Sequence, residues 1–283
     1  MLRIVSDSTC DLSPELIRRY HIDIVPLYIE LDGREFLDGV NITPDEIYLW
    51  SDAHKSTPRT AAIALESTEK LLRSYLDQGN DVLCFSISDS MSTTGNVFRM
   101  AVEHLHAQEH IRVFNSQNLS TGIGLQVLEA ADMAEHGSSM TDILAHLESI
   151  RPRVRASFVV DTLTYLHRGG RCSSVTALLG STLKLHPMIV VEDGAMKATK
   201  KYRGKLSSVV MNYVRDMKPQ LLQAKPERVF ITHSGCSDEI IDPVKAYLEG
   251  LGHFSEILIT RAGCTVSSHC GPGTLGVLFI AGE

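Results

Sequence analysis

Short hydroxyl-rich turns recur behind apolar runs: Ser6-Asp7-Ser8-Thr9, Ser86-Ile87-Ser88-Asp89-Ser90 followed by Ser92-Thr93-Thr94, Asn115-Ser116, and His233-Ser234-Gly235. In a parallel sheet, such turns at the carboxyl ends of strands form the ligand crevice, and free N–H groups at helix starts there favour an anion. Any single Ser or Thr also fits the plainer role of capping the next helix. The recurrence points to an anionic head group. Two other segments carry chemistry of the same sign. His269, in Ser267-Ser268-His269-Cys270, precedes a tight Gly271-Pro272-Gly273 turn. It can donate to a carboxylate, or it is a histidine satisfied within the fold. Arg168-Gly169-Gly170-Arg171 sets two guanidinium groups around a glycine pair, suited either to carboxylate or phosphate recognition or to a solvated turn.

Several other chemistries fail on context. Gly271 to Gly276 satisfies G-x-G-x-x-G, but only seven residues follow it and they read as a strand, whereas a dinucleotide site needs a following helix and a distant acid. No Walker A pattern or G-x-S-x-G elbow occurs. The six cysteines (Cys10, Cys84, Cys172, Cys236, Cys264 and Cys270) form no C-x-x-C pair and read as reduced thiols, not as a disulfide frame or a zinc site. His104, His106 and His110 lack an obvious partner set for a metal and read as a solvated helix end. With 34 acidic against 27 basic residues, a net charge of -7 and dispersed lysines and arginines, the chain lacks a nucleic-acid footprint. No apolar run is long enough to span a bilayer, and the N-terminus leads straight into a short strand, so a cytoplasmic location is expected.

The elements that must position these residues alternate. Leu2–Ser6, Ile24–Ile29, Val82–Ser86 and Ile111–Phe114 read as buried strands. Leu65–Leu76, Val97–His106 and Leu125–His136 carry helical periodicity between or after them. Thr43-Pro44-Asp45-Glu46 and Ser13-Pro14-Glu15 are helix starts, each with a hydroxyl cap, proline in the first turn and an acid behind it. From Pro152 a second series follows: Phe158–Val160, Met188–Val191, Val229–Thr232, Ile257–Thr260 and Leu275–Ala281, with Glu192-Asp193-Gly194 as a hairpin turn. The expected fold is α/β in two domains, residues 1–152 around a parallel sheet and 153–283 around a mixed one. No linker-like stretch separates them, so a wide interface and a ligand cleft between the halves follow. Monomer is the default state.

Taken together, these blocks resemble the DegV family of bacterial lipid-binding proteins over essentially the whole chain. The resemblance rests on Ser6-Asp7-Ser8-Thr9-Cys10-Asp11-Leu12, Asp38 to Pro44, Asn115 to Gly124, Asp161 to Arg171, and His269-Cys270-Gly271-Pro272-Gly273 with Gly276. It implies a long apolar tunnel enclosing one long-chain fatty acid, with no cofactor, and a carboxylate held by Thr60, Ser92 and His269. It further implies a carrier without independent catalysis that presents the acid to a separate ATP-dependent fatty-acid kinase, with Arg171 and Arg203 near the partner or the developing phosphate. A ligand-sensing regulator and an autonomous esterase or thioesterase are the alternatives. Two departures bear on the head group: Ala61-Ala62-Ile63 replaces the family's polar Ser-Gln-Pro after Thr60, and Thr93 replaces a glycine after Ser92. Ser56-Thr57-Pro58 offers a second alignment for the Thr60 loop.

Overall fold

The computed structural model describes residues 1–174 and 185–282. In its first half run β1 (Leu2–Asp7), α1 (Pro14–Arg19), β2 (Ile22–Val25), β3 (Tyr28–Leu31), β4 (Arg34–Leu37), α2 (Pro44–His54), β5 (Arg59–Ala61), α3 (Leu65–Leu76), β6 (Asp81–Ser86), α4 (Thr94–His104), β7 (Ile111–Asn115), α5 (Thr121–Glu135) and α6 (Met140–Ile150). The second half adds β8 (Val154–Val159), α7 (Thr164–Gly169), β9 (Leu185–Glu192), β10 (Ala195–Arg203), α8 (Leu206–Asp216), α9 (Lys218–Leu221), β11 (Arg228–His233), α10 (Asp238–Gly250), β12 (Glu256–Arg261), α11 (Cys264–Cys270) and β13 (Leu275–Ile280).

The first half is built on a four-stranded parallel sheet, β2-β1-β6-β7, and the second on a mixed six-stranded sheet, β10-β9-β8-β13-β11-β12. The helix starts form as their sequences dictate: Thr43 and Glu46 make a reciprocal capping box, and Ser13 accepts from the Leu16 N–H. Asp193 and Gly194, both at positive φ, turn the β9–β10 hairpin at the expected place.

One expected strand is two. Ile24–Ile29 is broken at Pro26, which has no N–H to give a ladder, so β2 stays in the parallel sheet while β3 leaves it. β3 is the centre of a separate antiparallel sheet, β4-β3-β5, in which Ile29 faces Thr60. The Thr60 segment is therefore a short strand, not a free loop. Four starts also move by three or more residues: α4 begins three residues before Val97, α5 four before Leu125, β8 four before Phe158 and β9 three before Met188.

Both large sheets are covered on both faces, and alternation along each strand divides the core into layers. Val5, Val82 and Cys84 turn outward under α3 and α4, whereas Ile4, Leu83 and Phe85 turn inward. In the other sheet Val229, Ile231, Val277 and Phe279 face outward toward α8 and α10, while Phe230, Leu278 and Ile280 face inward. The two inward faces share one cluster with α5 between them. Every residue of α5 from Thr121 to Ala131 is buried. Such a helix leaves no room for added bulk. A Cβ at Gly124 would sit 2.8 Å from Leu12 Cδ2 and 3.0 Å from the Cys10 carbonyl oxygen, the latter fixed backbone. Gly124→Ala is accordingly expected to lower stability by about 1–3 kcal/mol in urea unfolding, by forcing α5 away from the turn after β1.

Candidate functional site

A cavity of about 650 Å³ lies where the loops after β6, the end of α7, β5 and α11 converge. That volume falls in the usual range of small-molecule sites, roughly 300–1,000 Å³. Leu27, Ile87, Met91, Leu119, Met196 and Val266 give it apolar walls, and Thr60, Ser90, Ser92, Thr93, Arg171 and His269 bring polar groups to it. Asp89, Ser90, Thr93 and Arg171 are exposed, which places the mouth on their side. A second, almost wholly apolar space of about 20 Å³, room for about one water, shares Leu119, Val266 and Cys270 with the first and continues toward Phe158 and Leu278.

Four residues singled out from sequence meet here: Thr60, Ser92, His269 and Arg171. His269 Nε2 lies 2.8 Å from Thr60 Oγ1. Its Nδ1 is buried and has no hydrogen-bond partner among the described residues, because the ring edge is pressed against Gly169, where a Cβ would come within 2.3 Å of Nδ1. Burial, helped by the positive charge of Arg171, pushes His269 down from 6.5 to about 4, so at neutral pH the ring is uncharged. With the proton on Nε2, the ring donates to Thr60 and turns that hydroxyl's own hydrogen toward the cavity. Ser92 Oγ accepts from the Thr94 N–H at 3.3 Å in a local turn just before α4, and lies 3.0 Å from Thr94 Oγ1. Arg171 is anchored by bonds to the carbonyls of Gly169 (2.7 Å) and Met91 (3.4 Å). Arg203 stands apart, exposed at the end of β10 and outside the cavity lining.

Two acids that motif reading passed over hold α11, and hence His269, in place. Asp38 accepts from the N–H groups of Cys264 (2.7 Å) and Thr265 (3.1 Å) and from Ser8 Oγ (3.0 Å). Asp11 accepts from the Gly263 N–H (2.8 Å) and from Ser120 Oγ (2.5 Å). Burial, with Asp38 and Asp7 adding to it, pushes the Asp11 carboxyl up to about 8 against those hydrogen bonds. The hint was present in the sequence: both acids lie within the blocks Ser6–Leu12 and Asp38–Pro44, but their partners at the start of α11 are more than two hundred residues away.

The recurrent hydroxyls mostly serve the fold. Ser116 Oγ donates to the Ser86 carbonyl, Ser234 Oγ to Gly271, and Ser88 and Ser90 both reach the Gly194 carbonyl, tying the parallel sheet's loop to the β9–β10 hairpin. His104 pairs with Glu69 (2.7 Å) and His110 with Asp81 (2.9 Å) on the surface. Among the described residues no group of three or more His, Cys, Asp or Glu is placed to hold a metal ion. Gly271 and Gly273, at φ +75° and +74°, turn the chain from α11 directly into β13, so the glycine pattern there builds a turn into a strand.

A family model described as an uncharacterised protein of the DegV family matches residues 1–282. This chain belongs to the DegV family. A DegV domain-containing protein of Caldanaerobacter subterraneus subsp. tengcongensis is 30% identical over 280 residues, covering 98% of each chain. A DegV family protein from Thermus thermophilus, solved as fatty-acid binding, superposes with a TM-score of 0.90 at 29% identity over 99% of both chains. A stearic-acid-binding protein from Eubacterium ventriosum gives 0.87 at 28% identity, over 99% of this chain and 98% of that one. The α/β architecture with its parallel-sheet first domain and mixed-sheet second domain is that of DegV proteins.

The His269 environment has a pH signature. The unfolded chain protonates this ring below about 6.5 whereas the folded one holds it neutral to about 4, so the unfolded state binds the extra proton in that interval. The stability of wild type relative to H269Q should therefore fall as pH drops from 6.5 to 4, by on the order of 3 kcal/mol. Parallel pH-dependences of unfolding in the two proteins would contradict a neutral, buried ring.

Proposed function

We propose that this DegV protein binds one long-chain fatty acid with its carboxylate at Thr60 and Ser92, and presents it to a separate ATP-dependent fatty-acid kinase that forms the acyl phosphate. The observation that carries the reading is the convergence of Thr60, Ser92 and His269 on a single cavity whose remaining walls are largely apolar. Thr60 and Ser92 supply hydroxyl donors, and His269 fixes the Thr60 hydroxyl. The alkyl chain runs inward past Leu119 and Val266 toward the apolar space beyond, which must widen to admit it. The fatty-acid-binding relatives from Thermus and Eubacterium support this choice of ligand.

Magnitudes divide the labour between chain and head group. Burial of about 0.8 kcal/mol per methylene offers on the order of 11 kcal/mol for a sixteen-carbon acid, before the costs of association. A hydrogen bond to a charged group contributes only about 1.5–3 kcal/mol. Apolar walls set affinity, and the hydroxyls set which end of the ligand faces the mouth. Exposed Arg171 at that mouth, and Arg203 on β10, are the groups assigned to the kinase or to the developing phosphate.

A carrier without chemistry of its own also suits the thiols. Burial pushes Cys10, Cys236 and Cys270 up to about 12 and Cys84 and Cys264 higher still, so none of these offers a thiolate nucleophile near neutral pH.

Organic extraction of natively purified protein, set against a denatured and washed control, should release about one equivalent of long-chain fatty acid by mass spectrometry. No extractable acid, together with no binding of added acids, would remove the carrier reading. With a loaded protein in hand, S92A is expected to lose about tenfold in affinity. It should lose more in the rate of kinase-dependent phosphorylation, because head-group placement suffers more than chain burial. Equal transfer rates in S92A and wild type would take Ser92 out of the head-group site.

A further inference from the structure

Resting on the carrier reading, we propose that residues 28–62 are a clamp on α11, and that its release gates the passage of the acyl chain into the inner apolar space. α11 stands between the two spaces: Val266 and Cys270 line both the main cavity and the smaller one behind it. The helix is seven residues long and runs between glycines, Gly263 at its start and Gly271 and Gly273, both at positive φ, after its end. Glycine ends let a short helix change its tilt with little backbone strain.

The clamp is a unit of its own. Residues 28–62 are inserted between β2 and α3 and hold β3, β4, α2 and β5. Ile29, Leu31, Ile42 and Ile47, with Phe36, Tyr48 and Trp50 packed on them, make a cluster separate from the larger cores. Among the described residues, Cys264 of α11 is the only member from outside the segment. The flanking Leu27 and Ile63 belong instead to the core under α3 and α4. A segment with its own small core and two anchored ends can detach without unfolding the domain that carries it.

Its fastenings lie on α11 and beside it. Asp38 accepts from the N–H groups of Cys264 and Thr265, and Cys264 Sγ donates to the Ile42 carbonyl (3.3 Å). Just before the helix, Arg261 forms a two-pronged ion pair with Asp45, with Nη1 3.0 Å from Oδ2. Tyr48 donates to the Ser234 carbonyl (3.4 Å), and its ring meets Tyr165 edge-on with 6.1 Å between centroids. The contacts made by α2 are the ones that yield, because the Arg261–Asp45 pair is exposed and the Tyr48 bond is long. Asp38, whose N–H donates to the Leu27 carbonyl at 2.9 Å, sits beside an anchored end, which leaves α2 as the part that swings. Swinging α2 away uncovers the Cys264 side of α11 and lets Val266 draw back, the widening that a long chain needs.

The test is the exchange of a fluorescent long-chain acid, followed by stopped flow, on full-length D45C/R261C before and after cross-linking with a short bis-methanethiosulfonate. All six native cysteines are buried, so the reagent meets the two new thiols. Cross-linking should slow both uptake and release, and reductant should restore them; the same molecules serve as their own control for folding. In D45N and R261Q both rates should rise by roughly two- to fivefold, the worth of one exposed ion pair. Kd should stay unchanged, since a gate alters the path and not its end states. A cross-linked protein that exchanges as fast as the reduced one, or variants in which Kd rises while uptake keeps its wild-type rate, overturns the gate and leaves fatty-acid carriage standing. Binding of no acid by wild type overturns carriage and the gate with it.

Discussion

Helix α5 is buried between the two sheets, and the rest of the molecule is arranged around that fact. It packs against β1 and β6 on one side and β8 and β13 on the other, so the inward faces of both sheets and the helix form one continuous apolar cluster. Two domains that each needed a covering layer share a single one. The halves are joined by a core, which is a stiffer connection than the small polar interface of domains that move freely. Ion pairs run along the same seam. Glu129 of α5 is held by Lys225 (2.8 Å) and His146 (2.8 Å), and Asp132 by Arg228 (2.7 Å). Burial tends to raise the Glu129 carboxyl, but those two partners hold it below its usual range. Removing one member would strand an opposite charge in a poorly solvated place, which is why such pairs keep a register even where they add little net stability.

With the sheets held in this way, the loop after β6, β5 and the end of α7 meet α11, and the cavity is what lies between them. Its polar end is supported in layers. Asp11 and Asp38, from the first half, bind N–H groups at the start of α11 in the second; α11 carries His269; His269 orients Thr60 on β5. β5 is in turn paired with β3, whose departure from the parallel sheet at Pro26 makes the small antiparallel sheet possible. Gly169 completes the arrangement by letting the backbone after α7 lie against the imidazole. Thr60 and His269 therefore sit on a paired strand and on a helix held at its start, a firmer base than a free loop.

Much of this was legible from residue order alone. Local rules act over a few residues, so the alternation that makes β1, β6, β11 and β13 two-faced, the Thr43 capping box and the Asp193-Gly194 turn could each be read from the chain. The motif blocks also carried the family, and with it Thr60, Ser92, His269 and Arg171, which the fold brings to the lining of one cavity. What the chain could not announce was contact between segments distant in sequence. The Asp38 carboxylate looks like any solvated acid until α11 arrives 226 residues later, and the hydroxyl-rich turns look like ligand donors until Ser88 and Ser90 are found on the Gly194 carbonyl. The neutral state of His269 belongs to the same class, because it comes from burial and from Arg171 nearly a hundred positions away. Sequence determined the elements and the kinds of group available for binding; tertiary structure decided which groups hold the protein together and which face the cavity, because burial and long-range hydrogen bonding are properties of the assembled fold.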